Sequence, residues 1–203
     1  MAINTKTSIR EFAPKDCKEV FAAINSRQIT ALMFHDEMAD LFDFLGLRGF
    51  KRMHEYQYFS ESAEHRAIKR YFLNHHGELI PQDDIDGIEV IPSDWYKYTR
   101  MDVTPSIRKQ AVQKAMEQYY DWECETKELY EKCASYLSMW GNFADLQKVC
   151  DLIHDVNMEL KYLERLCIEL KSVDYSAEYI GVMQDKYHEK YKEKCKTIGV
   201  SIC

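Results

Sequence analysis

Glycine and proline are scarce in this chain, with 7 Gly and 4 Pro among 203 residues. That leaves little turn material for an all-β fold, whose strands must reverse at every end. No stretch approaches about 20 consecutive apolar residues, so no membrane span is expected. The opening segment MAINTKTSIREFAPKDCKEV lacks the apolar core of a secretory signal. The 7 Cys (Cys17, Cys124, Cys133, Cys150, Cys167, Cys195 and Cys203) stand singly. Without a CxxC pair, neither a zinc knuckle nor a dithiol redox motif is formed. Scattered thiols in odd number fit a reducing, cytoplasmic setting. Cys133, Cys150 and Cys167 are expected to serve as small apolar packing residues. Basic residues are in the minority, 27 Lys and Arg against 34 Asp and Glu, for a net charge of −7. A dedicated nucleic-acid binder needs the opposite balance, whereas an acidic chain attracts cations.

What is present is ordinary globular composition, 46% hydrophobic and 30% charged, in a chain long enough for one domain with a substantial core. Helical periodicity dominates. It predicts five helices, at about 14–45, 50–75, 105–140, 144–171 and 176–196, and a long connection at about 77–104. On the first, Val20, Ile24, Ala31, Phe34, Met38, Phe42 and Leu45 form one stripe, with Gly46 as its cap. Thr104-Pro105 is a cap followed by proline at the first helical position. The short Gly46–Gly49 link makes the first two helices antiparallel. The long connection, part of it a possible short β-like or 3₁₀ piece, can cross the length of a bundle. The expectation is a single all-α domain over residues 1–203: an antiparallel four-helix bundle with a crossover between its second and third helices and an extra C-terminal helix.

Ionisable residues interrupt the apolar stripes. His54, Glu61 and His65 project from the stripe of Phe50, Met53, Tyr58, Ile68 and Phe72. Glu123 interrupts the third helix's inward row and Glu159 the fourth's, while His35 lies close to the stripe of the first and Glu37 on its flank. Folding the hairpin about residues 47–48 sets His35 level with about residue 60, next to Glu61. An inward carboxylate is costly unless paired, protonated or metal-bound. Carboxylates and imidazoles from several helices suit iron, manganese or zinc. The plainer reading is a set of ion pairs: Glu61 with His65, Glu123 with Lys127, Glu159 with Lys161 or Arg165.

In order and spacing, these segments resemble the ferritin-like superfamily. SRQITALM looks like the start of the ferritin first helix, and FSESAEHRAIKRYFLNHHGELIPQDDI like the second helix and its following loop. AMEQYYDWECETKELYEKCASY resembles the third helix and LQKVCDLIHDVNMELKYLERL the fourth, so the likeness covers about residues 20–170. It implies a di-iron site that oxidises Fe(II) with O₂, a possible ferroxidase, and a homo-oligomer storing iron. It matches His65 to the metal-binding histidine, and Glu123 and Glu159 to acidic positions. Ser62 stands where the family has a bridging Glu, a role open to Glu61. Leu32 stands at the first-helix Glu, leaving His35 or Glu37 to substitute. The alternatives are a ferritin-like di-metal oxidase or oxygenase acting on a small substrate, and a metal-free helical scaffold.

Overall fold

The computed structural model describes residues 6–81 and 90–197. Among the described residues all regular structure is helical: α1 (Lys6–Glu11), α2 (Cys17–Phe44), α3 (Arg48–His76), α4 (Pro105–Met139), α5 (Phe143–Ser172) and α6 (Ala177–Thr197). The connection between α3 and α4 carries 3₁₀ turns at Ser93–Lys97 and Arg100–Asp102. Its segment 82–89, within the connection expected to be mainly loop, lies outside the described residues, as does Cys203. The five expected helices correspond to α2 through α6, with ends shifted by no more than about a turn. The additional α1 spans 6 residues, too short for periodicity to reveal. Tertiary contact secures it: Ile9 is fully buried and its carbonyl accepts a bond from Lys132 Nζ at 3.0 Å.

The helix ends follow from local chemistry. Gly46 adopts φ +71°, Leu47 N–H donates to Phe42 O at 2.8 Å, and Gly46 N–H donates to Asp43 O at 3.0 Å. This left-handed C-terminal motif satisfies carbonyls that the helix leaves open. Gly141 repeats it, with Asn142 N–H on Leu137 O and Gly141 N–H on Ser138 O, both at 3.0 Å. Thr104 Oγ1 accepts the Ile107 N–H at 3.2 Å and caps α4 as expected.

The chain forms two compact units, and α2, α3, α4 and α5 each contribute a stretch to both. Unit 1 draws on residues 1–30, 62–87 and 119–165. Its core includes Val20, Phe21, Ile24, Ile68, Phe72 and Leu152, with Ile9 of α1 in the same cluster. Burying a ring the size of Phe21 or Phe72 stabilises by about 1.5–3 kcal/mol. Every residue of α2 from Val20 to Gln28 is buried, so here the helix has no solvent side.

Unit 2 draws on residues 31–61, 88–118 and 166–203. In it α6 lies against the start of α3. The Phe50 and Tyr187 rings meet edge to face at 5.5 Å, and Arg52 Nε donates to His188 Nδ1 at 3.1 Å. Gly49 makes this approach possible, because a Cβ there would stand 1.8 Å from Gln184 O. No described helix is long and apolar enough to cross a membrane.

Candidate metal centre

Three helices of unit 1 bring oxygen ligands to one region. On α5, Asp155 and Glu159 are one turn apart and share a face. Across from them on α3 is Glu64. Burial and the charges of Asp155 and Glu159 push its carboxyl up to about 7, with Lys148 acting in the opposite direction. From α4, the Tyr119 hydroxyl donates to Glu159 Oε1. Glu123 lies one turn beyond Tyr119 on the same helix face and is 4% exposed. The set grades from Asp155, which is exposed, through half-buried Glu64 and Glu159 to buried Tyr119 and Glu123. Carboxylates that repel one another in a partly desolvated space form an environment that a cation relieves.

His65 is on α3 beside Glu64. Its Nε2 is buried without a hydrogen-bond partner among the described residues. Burial, with the Lys69 charge, lowers its pKa, so at neutral pH the imidazole is uncharged. A neutral ring with an open nitrogen fits a metal ligand.

α2 brings a cation of its own into unit 1. Arg27 is 0% exposed and its guanidinium carbon lies 3.3 Å from the centroid of the Trp122 ring. Its Nε donates to Thr126 Oγ1 at 2.9 Å, its Nη2 donates to Trp122 O at 2.8 Å, and the Glu125 carboxylate is 3.7 Å away.

The six residues expected from sequence divide between the units. His65, Glu123 and Glu159 belong to unit 1; His35, Glu37 and Glu61 belong to unit 2. His35 meets His54, their Nδ1 atoms 3.0 Å apart, seven positions before Glu61 on α3. Burial pushes His35 down to about 3; burial and the His35 charge hold His54 well below its ordinary range. Both rings are therefore neutral, one Nδ1 donating and the other accepting. Neither these six nor the set of Glu64, His65, Glu123, Asp155 and Glu159 contains three residues whose ligand atoms lie mutually within 4.8 Å. Among the described residues the side chains that do so are His75, His76 and Asp145.

Sequence reasoning left Asp155 and Arg27 unremarked. The i, i+4 spacing of Asp155 and Glu159 was an available signal. For Arg27 there was none, since a lone arginine on a helix usually reaches solvent.

With its helices in this order, the chain has the ferritin-like fold: an all-α antiparallel four-helix bundle with a long crossover and an added C-terminal helix. An engineered closed form of the Archaeoglobus fulgidus ferritin is similar at a TM-score of 0.70 and 15% identity, over 87% of this chain and 97% of that one. A humanized archaeal ferritin gives 0.69 and 16%, over 87% and 98%. The open pore ferritin of the hyperthermophilic archaeon Archaeoglobus fulgidus gives 0.68 and 15%, over 93% and 98%. No protein-family model matches the chain, and neither does any curated protein sequence.

Proposed function

We propose that this chain is a ferritin-like protein that binds Fe(II) as its substrate in unit 1 and passes electrons from it to O₂. The observation that carries the reading is half-buried Glu64 of α3 set against Asp155 and Glu159 of α5, whose charges together with burial raise its pKa, beside the Tyr119–Glu159 hydrogen bond. The candidate ligands are Glu64, Asp155 and Glu159, with His65 one position along α3 and Glu123 deeper in; no three of them stand mutually within 4.8 Å, so their side chains must move in on the ion. This keeps His65, Glu123 and Glu159 of the family-derived set and does not draw on Glu61, His35 or Glu37. Where a bridged pair of ions needs carboxylates from every helix, unit 1's stretch of α2 brings the buried Arg27. We therefore assign one ion rather than two, iron first, with manganese or zinc as chemically acceptable occupants. Cytoplasmic residence and assembly of copies into a storage shell belong to the same proposal.

The residues divide the work. Exposed Asp155 meets the incoming ion, and Glu64 loses its proton as the ion binds. His65 offers its uncharged nitrogen, and the Tyr119 hydroxyl fixes the rotamer of Glu159 through their hydrogen bond. The test is anaerobic Fe(II) titration of the purified full chain, followed by air. Saturable binding at about one ion per chain, weakened in Glu64→Gln and Glu159→Gln, is expected. The absence of saturable binding, or oxidation no faster than in buffer alone, removes the proposal.

Two observations favour a second reading, a metal-free helical scaffold. Arg27 already supplies a buried positive charge to unit 1, and Tyr119 already engages Glu159. Elemental analysis of protein expressed with iron available separates the two. Bound iron supports the first reading, and metal-free protein supports the second.

A further inference from the structure

A second set of ligands lies elsewhere in unit 1, where α3 ends and α5 begins. Gly77, at φ +69°, stops α3, so His75 and His76 occupy its last turn, where the carbonyl end of the helix favours positive charge. At the start of α5, Asn142 Oδ1 accepts the Asp145 N–H at 3.3 Å. That turn carries Asp145 inward until it is 0% exposed. Its carboxylate accepts bonds from Tyr71 OH at 2.9 Å and from Asn142 Nδ2 at 2.6 Å. His76 Nε2 lies 3.0 Å from both carboxylate oxygens. The ring nitrogen is thus shared between the two oxygens, as in a bifurcated hydrogen bond. The His75 ring stacks on Tyr71 at 12° and 5.4 Å, which holds it beside the pair, and the side chain is exposed. One donor atom from each of the three residues falls within 4.8 Å of the other two.

We infer that His75, His76 and Asp145 form a site for a divalent zinc-type ion, separate from the carboxylate group of Glu64 and Glu159. Two imidazole nitrogens and one carboxylate oxygen are a donor set that zinc accepts, with water completing the four. With metal–ligand bonds of roughly 2.1 Å, a nitrogen–oxygen separation of 3.0 Å corresponds to an angle of about 90° at the ion. Opening that separation by about 0.4 Å gives the tetrahedral angle. Binding requires the neutral His76 ring to carry its N–H on Nδ1, leaving Nε2 for the ion, and the exposed His75 ring to swing in. Tyr71 and Asn142 stay on the carboxylate as the outer layer that orients it.

The inference stands independently of the iron reading. The experiment is Co(II) titration of the untagged full chain, read by visible d–d absorption, with Zn(II) competing the signal away. Intensity saturating at one Co(II) per chain is expected. His75→Ala alters only an exposed side chain and should weaken Co(II) binding at least about tenfold. His76→Gln keeps a donor for Asp145 but removes the imidazole, and should do the same with the fold intact by circular dichroism. Saturating absorption unchanged in both variants overturns the assignment, as does its absence in the parent chain. A band kept in His75→Ala and lost in Glu159→Gln also overturns it, since the ion then belongs to the other site.

Discussion

Replacing Glu64 with Gln removes a group whose proton the fold holds too tightly, and the consequence can be worked through. Burial and the Asp155 and Glu159 charges lift the Glu64 carboxyl from its ordinary value near 4.5 to about 7. Because the folded pKa is the raised one, the stabilising contribution of the protonated group is fully present below about 4.5. It drains away as pH rises and is gone once pH passes about 7. The gap corresponds to about 3 kcal/mol. Glu64→Gln mimics the protonated acid at every pH. The two proteins should therefore be equally stable near pH 4, while at pH 8 the variant should be more stable by about 3 kcal/mol. With a urea slope of about 2–3 kcal/mol/M, its midpoint at pH 8 should lie higher by about 1 M. The assay is urea unfolding of chelator-treated protein between pH 4 and 9, followed by far-ultraviolet circular dichroism. Parallel stability curves for the two proteins would refute the placement of Glu64 against Asp155 and Glu159. The same group predicts that adding Fe(II) to unbuffered protein releases about one proton from Glu64 near pH 6 and little at pH 8.

Arg27→Ala opens a cavity beside Trp122 and strips hydrogen bonds from Thr126 and the Trp122 carbonyl, and should cost about 2–5 kcal/mol in urea unfolding, whereas a loss below 1 kcal/mol would sink the account. Gly49→Ala sets a methyl group against the Gln184 carbonyl and should loosen α6, costing about 1–3 kcal/mol or more and exposing α6 to limited proteolysis. Unchanged cleavage would show that α6 does not rest there. The neutral His35–His54 pair makes acid destabilising: the unfolded chain takes up protons below about 6.5, and the folded chain resists down to about 3 at His35. His54→Leu should shift acid unfolding to lower pH, measured by near-ultraviolet circular dichroism, and no shift would count against a buried neutral pair.

Most of the helical framework was legible from sequence because its causes are local. The stripe from Val20 to Leu45 on α2 is buried throughout, Gly46 and Gly141 take the left-handed conformation, and Thr104 caps α4. On α3, Phe50, Met53, Ile68 and Phe72 are buried while Tyr58 is only half-buried. α1 was not legible, since six residues complete fewer than two turns and its stability comes from Ile9 and Lys132. The site was legible in kind rather than membership. Periodicity points carboxylates inward from α4 and α5, but which of them meet depends on axial register between helices. Counting from the hairpin had set His35 level with about residue 60, beside Glu61, whereas it pairs with His54, about two turns away. The cluster of His75, His76 and Asp145 needed the fold, because its members stand about 70 positions apart in sequence.

The stretch of α2 from Val20 to Gln28 is covered on every side within a single molecule. A neighbouring copy has nothing to grip there. If these molecules build a larger particle, its seams must run along other helices, and those nine positions are set by the needs of the lone subunit. Surface charge-swapping aimed at breaking a shell should leave them alone.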